Sequence, residues 1–173
     1  HRTLDLAARL AGPERERHEL IEQFNATEKS LPNHKLIHEL FEEHARRTPD
    51  VTCLMAEKQC ITYAYLNATS NQLARHLRLQ GVGPDVRVVI CTERGTQMVV
   101  AMLGVLKAGG AYVPLDPAYP PERRAYILED SAPAVLLTQN RTITTLPKTS
   151  TRIIAIDGEW AEISRYPADN LKP

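Results

Sequence analysis

The run Leu106-Lys107-Ala108-Gly109-Gly110-Ala111-Tyr112-Val113-Pro114-Leu115-Asp116-Pro117 constrains this chain more than any other part of it. A nearly unbroken apolar stretch from Met98 to Leu106 precedes the glycines, and a proline-dense loop, Asp116-Pro117-Ala118-Tyr119-Pro120-Pro121, follows the strand-like residues. Val99, Met102, Leu103 and Leu106 fall at i, i+3, i+4 and i+7, the stripe of a helix packed on a sheet. Gly109 and Gly110 stop that helix, because glycine enters the left-handed region without steric cost. Ala111-Tyr112-Val113 is too short and apolar for a surface helix and reads as a strand covered on both faces. A buried helix, a glycine stop, a buried strand and a stiff turn are the parts of an α/β protein.

The remainder of the chain extends that pattern. Pro13 to Phe24 is charge-rich with a thin apolar seam of Leu20, Ile21 and Phe24, as in a short amphipathic helix. A second helix is expected from about Lys35 to Arg47, with Ile37, Leu40, Phe41 and Ala45 inward and Arg46 and Arg47 at its electronegative end. Val51 to Ala56 reads as a strand, Glu57-Lys58 as a tight turn and Cys60-Ile61 as the return strand. Thr62 is a good N-cap for a helix carrying Leu66, Leu73 and Leu77 on one face, ended by Gly81-Val82-Gly83-Pro84. Strands are then expected over Val86–Cys91, Ala134–Thr138 and Arg152–Ile156, with a proline-opened helix over Pro121–Asp130. Gln139 to Thr151 reads as a loop with room for one helical turn. The alternation predicts an incomplete, doubly wound, mostly parallel sheet with flanking helices.

Composition narrows the function classes. Lys plus Arg and Asp plus Glu are 21 each, so no net basic field exists for nucleic acid or anionic lipid. Aromatic residues make up 5%, too few for a base-stacking surface. No apolar run approaches the roughly 20 residues that span a bilayer, and no export signal opens the chain. Cys53, Cys60 and Cys91 are odd in number and lack close metal-ligand spacing. They read as small buried hydrophobes in a reducing compartment, which places the protein in the cytoplasm.

Together with Met98-Val99-Val100-Ala101-Met102-Leu103, the glycine run closely resembles the second core motif of adenylation domains in nonribosomal peptide synthetases. Ile61-Thr62-Tyr63-Ala64-Tyr65-Leu66 resembles the first core motif. There the family usually has Glu at the position of Tyr65, so a capping box has lost its reciprocal carboxylate. Pro121-Glu122-Arg123 through Leu136-Leu137-Thr138 resembles the stretch after the second motif. Pro167-Ala168-Asp169-Asn170-Leu171 resembles the approach to the third. Glu22-Gln23-Phe24-Asn25-Ala26-Thr27 resembles the linker that joins a condensation domain to an adenylation domain.

The resemblance implies a partly helical linker over residues 1–27. Residues 28–173 would be the opening part of the large adenylation subdomain, ending before the phosphate-binding loop. The implied parent activates an amino acid with ATP and magnesium as aminoacyl-AMP, then loads it onto the phosphopantetheine of a carrier domain. Its expected partners are the remainder of the adenylation domain, the preceding condensation domain and the carrier domain, with no nucleic acid or membrane. The family's phosphate loop, amino-acid pocket, magnesium carboxylate and catalytic lysine all match positions beyond Pro173. No catalytic, cofactor-binding or metal residue is therefore assigned within 1–173, and the chain alone is expected to be inactive.

The residues themselves offer little else. Gly104 to Gly110 has a nucleotide-loop glycine spacing, but no Lys-Ser or Lys-Thr follows, and it joins helix to strand. Lys107 reads as a partner of its helix's C-terminal dipole. His34 and His38 sit at i, i+4 without the Glu placement of a zinc protease, and read as a solvated or partly packed face. No serine occupies a Gly-x-Ser-x-Gly elbow. The rival readings are a stand-alone, non-catalytic doubly wound binding module and a fragment of a related acyl-CoA ligase. Which amino acid is activated is not encoded in these residues.

Overall fold

The computed structural model describes residues 26–27, 35–56 and 59–172. The chain divides into two compact units, His1–Lys35 and Leu36–Pro173, and the elements that follow belong to the second. The helix expected over residues 13–24, His34 and the turn at Glu57-Lys58 lie outside the described residues.

Twelve elements follow in order among the described residues: α1 (Ile37–Arg47), β1 (Thr52–Ala56), β2 (Gln59–Thr62), α2 (Tyr63–Leu79), β3 (Arg87–Cys91), α3 (Thr96–Ala108), β4 (Ala111–Pro114), α4 (Pro121–Ser131), β5 (Val135–Thr138), α5 (Asn140–Ile143), β6 (Arg152–Ala155) and α6 (Trp160–Ile163). β1 and β2 form an antiparallel pair. The other four strands build one parallel sheet in the order β4-β3-β5-β6. This is the doubly wound α/β architecture expected from the alternating pattern.

Side-chain alternation along the strands divides the core between the two sheet faces. Val88, Ile90, Val135, Leu137 and Ile154 pack with α2 and α3 on one side. Val89, Cys91 and Leu136 pack with Leu115 and with Leu128 of α4 on the other. The crossover β3-α3-β4 thus covers one face and β4-α4-β5 the opposite one, as right-handed connections require when the chain reverses direction across a sheet.

Local chemistry sets the helix ends. Thr62 Oγ1 accepts the N–H of Tyr65 at 3.2 Å and opens α2. Gly109 has φ +94°; its N–H reaches Leu106 O at 3.1 Å, and the Gly110 N–H reaches Val105 O at 3.0 Å. These paired bonds form a Schellman motif that closes α3. Gly81, at φ +84°, closes α2 in the same manner through Arg78 O and Leu77 O.

Four expectations need correction, and one element was not foreseen. The deepest face of α3 is Val100, Ala101, Gly104, Val105 and Ala108, whereas Val99, Met102, Leu103 and Leu106 are half-buried. A helix apolar on every side carries no periodic signal, and small residues decide its docking. A Cβ at Gly104 would lie 2.9 Å from Leu73 Cδ2, so the glycine lets α2 approach. Next, β4 is not covered on both faces: it is an edge strand, with Ala111 and Pro114 exposed and Tyr112 and Val113 half-buried. In α1, Ile37 and Leu40 point outward, at 70% and 39% exposure, because the helix docks through His38, Phe41, Glu42 and Ala45. Cys60 is exposed on its hairpin strand, while Cys91 is buried and Cys53 half-buried; all three are free thiols. Finally, α6 had no counterpart among the elements expected from the sequence, although its Ile163 is fully buried.

Candidate functional site

In an open parallel sheet, ligands bind at the carboxyl ends of neighbouring strands whose connections leave in opposite directions. Here those strands are β3, whose chain runs toward β4, and β5, whose chain runs toward β6. A crevice of about 660 Å³ opens at these ends. Its floor comes from Ile90 and Thr92 at the end of β3. One wall is the loop Pro114–Tyr119, and another is α5 with Arg141, Thr142 and Thr145. Met98 and Met102 of α3 add an apolar side.

Several bonds stiffen this region. Thr138 Oγ1 donates to Cys91 O at 2.8 Å, joining the tips of β5 and β3. Gln139 Oε1 accepts the Glu93 N–H at 2.9 Å, and Gln139 Nε2 donates to Gln97 Oε1. Arg141 Nη2 pairs with Glu93 Oε2 at 2.7 Å across the mouth. In the proline loop, Asp116 Oδ1 accepts the Ala118 N–H at 2.8 Å, an Asx turn, and Arg123 stacks its guanidinium 4.5 Å from the Tyr119 ring centre. Beneath the crevice, burial pushes the Cys91 thiol up to about 11, so it is not a nucleophile at neutral pH.

Two threonines of the lining carry buried hydroxyls. Thr92 and Thr142 are 6% and 4% exposed, and neither Oγ1 has a hydrogen-bond partner. The methionines, Tyr112 and the prolines give the crevice an apolar lining edged by Glu93, Arg94, Asp116 and Arg141, and such walls suit an amphipathic group. They do not suit a magnesium-bound triphosphate. That group needs converging backbone amides and several cations, whereas Arg141 is already paired with Glu93, Asp116 caps its own turn, and Arg94 is left as the one lining cation without an ion pair among the described residues. No group of three or more metal-ligating side chains occurs among the described residues.

Lys107 proves to be more than a dipole partner. It is 3% exposed, and its Nζ donates to Asn67 Oδ1 and Asn71 Oδ1, both at 2.6 Å. Glu42 Oε1 lies 3.2 Å away and the Phe41 ring centre 5.7 Å away. The ammonium therefore sits where α1, α2 and α3 meet. Burial lowers it to about 8 against the pull of Glu42. His38 on α1 is half-buried, and burial lowers its pKa as well. Sequence reasoning missed the crevice because its parts come from four separate segments of the chain. The available signal was the topology itself, which places the end of Val86–Cys91 at a switch point.

The match to a family model for AMP-binding enzymes covers residues 41–171. The chain belongs to the AMP-binding enzyme family. Within that family its similarity runs to peptide synthetases. It is 46% identical over 158 residues to a linear gramicidin synthase of Brevibacillus parabrevis, covering 91% of this chain and 3% of that protein. It is 44% identical over 160 residues to bacitracin synthase 3 of Bacillus licheniformis, covering 92% of this chain and 2% of that protein. Among solved structures, the nonribosomal peptide synthetase FmoA3 superposes with a TM-score of 0.77 at 32% identity, over 87% of this chain and 16% of that one. This chain is thus a portion of a nonribosomal peptide synthetase adenylation domain. The first and second motifs, at Ile61–Leu66 and Leu106–Pro117, both fall inside the matched region.

Proposed function

We propose that the protein containing this chain activates an amino acid with ATP and magnesium. A carboxylate oxygen would attack the α-phosphorus, pyrophosphate would leave, and the aminoacyl adenylate would pass its acyl group to the phosphopantetheine thiol of a carrier domain with release of AMP. A condensation domain preceding residues 1–27 and a cytoplasmic location complete the reading. The observation that carries it is 46% identity to a linear gramicidin synthase across nine-tenths of the chain. Solved forms of FmoA3 with AMPPNP and with α-methyl-L-serine-AMP support the nucleotide chemistry. Three free thiols, and the absence among the described residues of a helix able to cross a membrane, are compatible with the location.

In this reading residues 28–173 supply scaffold rather than chemistry. Adenylate formation needs several groups that position and neutralise charge together, and among the described residues the crevice offers Arg94 alone as an unpaired cation for that task. Its amphipathic lining would instead form one wall of a site completed by the rest of the domain. The test is hydroxylamine trapping with the complete synthetase. Amino-acid-dependent hydroxamate and AMP formation are expected for one or a few amino acids. ATP turnover without hydroxamate, or no turnover with any amino acid, would overturn the reading.

A further inference from the structure

A buried ammonium is costly unless its hydrogens all find acceptors. Lys107 meets that demand with Asn67, Asn71 and Glu42, and the bonds fix more than the lysine. An amide side chain can face either way, but an ammonium tolerates only its oxygen. Both asparagines therefore hold Oδ1 toward Lys107 and turn Nδ2 away from it.

Those nitrogens meet the segment that follows α6. Asn71 Nδ2 donates to Ala168 O at 2.8 Å and to Asn170 Oδ1 at 3.0 Å, and Asn67 Nδ2 donates to the same Asn170 Oδ1 at 2.8 Å. Further along α2, Gln72 Nε2 donates to Ser164 O at 2.8 Å and Arg75 Nη1 to Pro167 O at 2.8 Å. Arg78 Nη1 reaches Lys172 O at 3.2 Å. Residues 167–172 form no helix or strand, so side chains of α2 replace the backbone ladder that would otherwise hold them.

We propose that Lys107 is a positioning residue: by fixing the orientation of the Asn67 and Asn71 amides it sets the course of residues 164–172 along α2. The second core motif is thereby tied to the helix of the first and to the approach to the third. The last of these consequences rests on the adenylation reading, whereas the positioning itself does not.

The test is limited trypsin digestion of the full chain at submicromolar concentration, comparing initial cleavage after Arg165 with cleavage after Arg94, a loop residue away from the strap. Lys107→Met should raise the ratio of the two rates by about fivefold, the equivalent of a hydrogen bond lost. Asn71→Leu should do the same, and the double variant should rise by less than the product of the two single effects, since Asn67 alone is left for Lys107 to orient. Val105→Ala, which weakens the same helix without touching an amide, should leave the ratio unchanged. Where the methionine variant does not fold, Lys107→Gln, which no longer demands two oxygens, should give the same rise. An unchanged ratio in the lysine variants, or a double variant equal to the product of the singles, would overturn the proposal. The readout involves no nucleotide, so failure here is separate from failure of the adenylation reading.

Discussion

Replacing Lys107 by methionine removes a titration that folding perturbs, so the stability difference between the two proteins must change with pH. Burial holds the folded-state pKa of Lys107 at about 8, with Glu42 opposing the shift and Arg75 adding to it. In the unfolded chain the group titrates at its ordinary 10.5. Below pH 8 both states carry the proton, and the folded state bears the full cost of a buried charge. Between pH 8 and 10.5 the unfolded chain binds more protons at this site, so the unfolding free energy rises with pH there. Above 10.5 neither state binds the proton and the rise ends. The interval between 10.5 and about 8 corresponds to about 3 kcal/mol. Solvent screening takes little from that figure at a residue 3% exposed. The assay is urea unfolding from pH 7 to 10.5, followed by fluorescence of Trp160, the single tryptophan, at submicromolar protein. Titrating groups that do not interact with Lys107 cancel between the two proteins. Wild type minus Lys107→Met should become more positive by about 3 kcal/mol across the range, at equal denaturant slopes. Parallel pH profiles would show that the ammonium reaches water, and a fall in the difference would show that folding favours its charge.

Three further outcomes follow from the helix ends and the sheet. Tyr65, 52% exposed at the third position of α2, should be replaceable by Glu with a gain of up to about 1 kcal/mol in denaturant unfolding, since Thr62 already supplies half of a capping box. Gly109→Ala should destabilise the chain by about 1–2 kcal/mol, because φ +94° places a Cβ in a disfavoured region; the thermal midpoint checks it. The edges of β4 and β6, unpaired among the described residues, with Ile153 of β6 37% exposed, should make the isolated chain associate at micromolar concentration, visible as oligomers in light scattering.

Features encoded by local chemistry were legible in the sequence. Thr62 before an amphipathic run, Gly109-Gly110 after an apolar one, and Pro121 with Glu122 at a helix start each act within one turn, and each appears where expected. The parallel sheet was legible because apolar runs such as Val135–Thr138 suit strands covered on both faces. What escaped depends on residues far apart in the chain. The inward face of α3 is chosen by the close approach of Gly104 to Leu73, which no periodicity within Met98–Leu106 reveals. The edge position of β4 is a property of strand order, since Tyr112-Val113 looks the same at an edge or in the middle. Lys107 illustrates the limit most clearly. A lysine in a helix's last turn reads as a solvated dipole partner, and its two amide acceptors lie 40 and 36 residues away. The crevice likewise exists only once the tips of β3 and β5 are side by side.

The central claim is that these residues form the scaffold of an amino-acid-activating domain and none of its chemistry. Amino-acid-dependent exchange of pyrophosphate into ATP tests it most directly, measured on residues 1–173 and on the complete synthetase under the same conditions. The synthetase should catalyse exchange with one or a few amino acids, and residues 1–173 should show none above background. Exchange by residues 1–173 alone, surviving repurification and abolished by a point substitution within them, would contradict the claim.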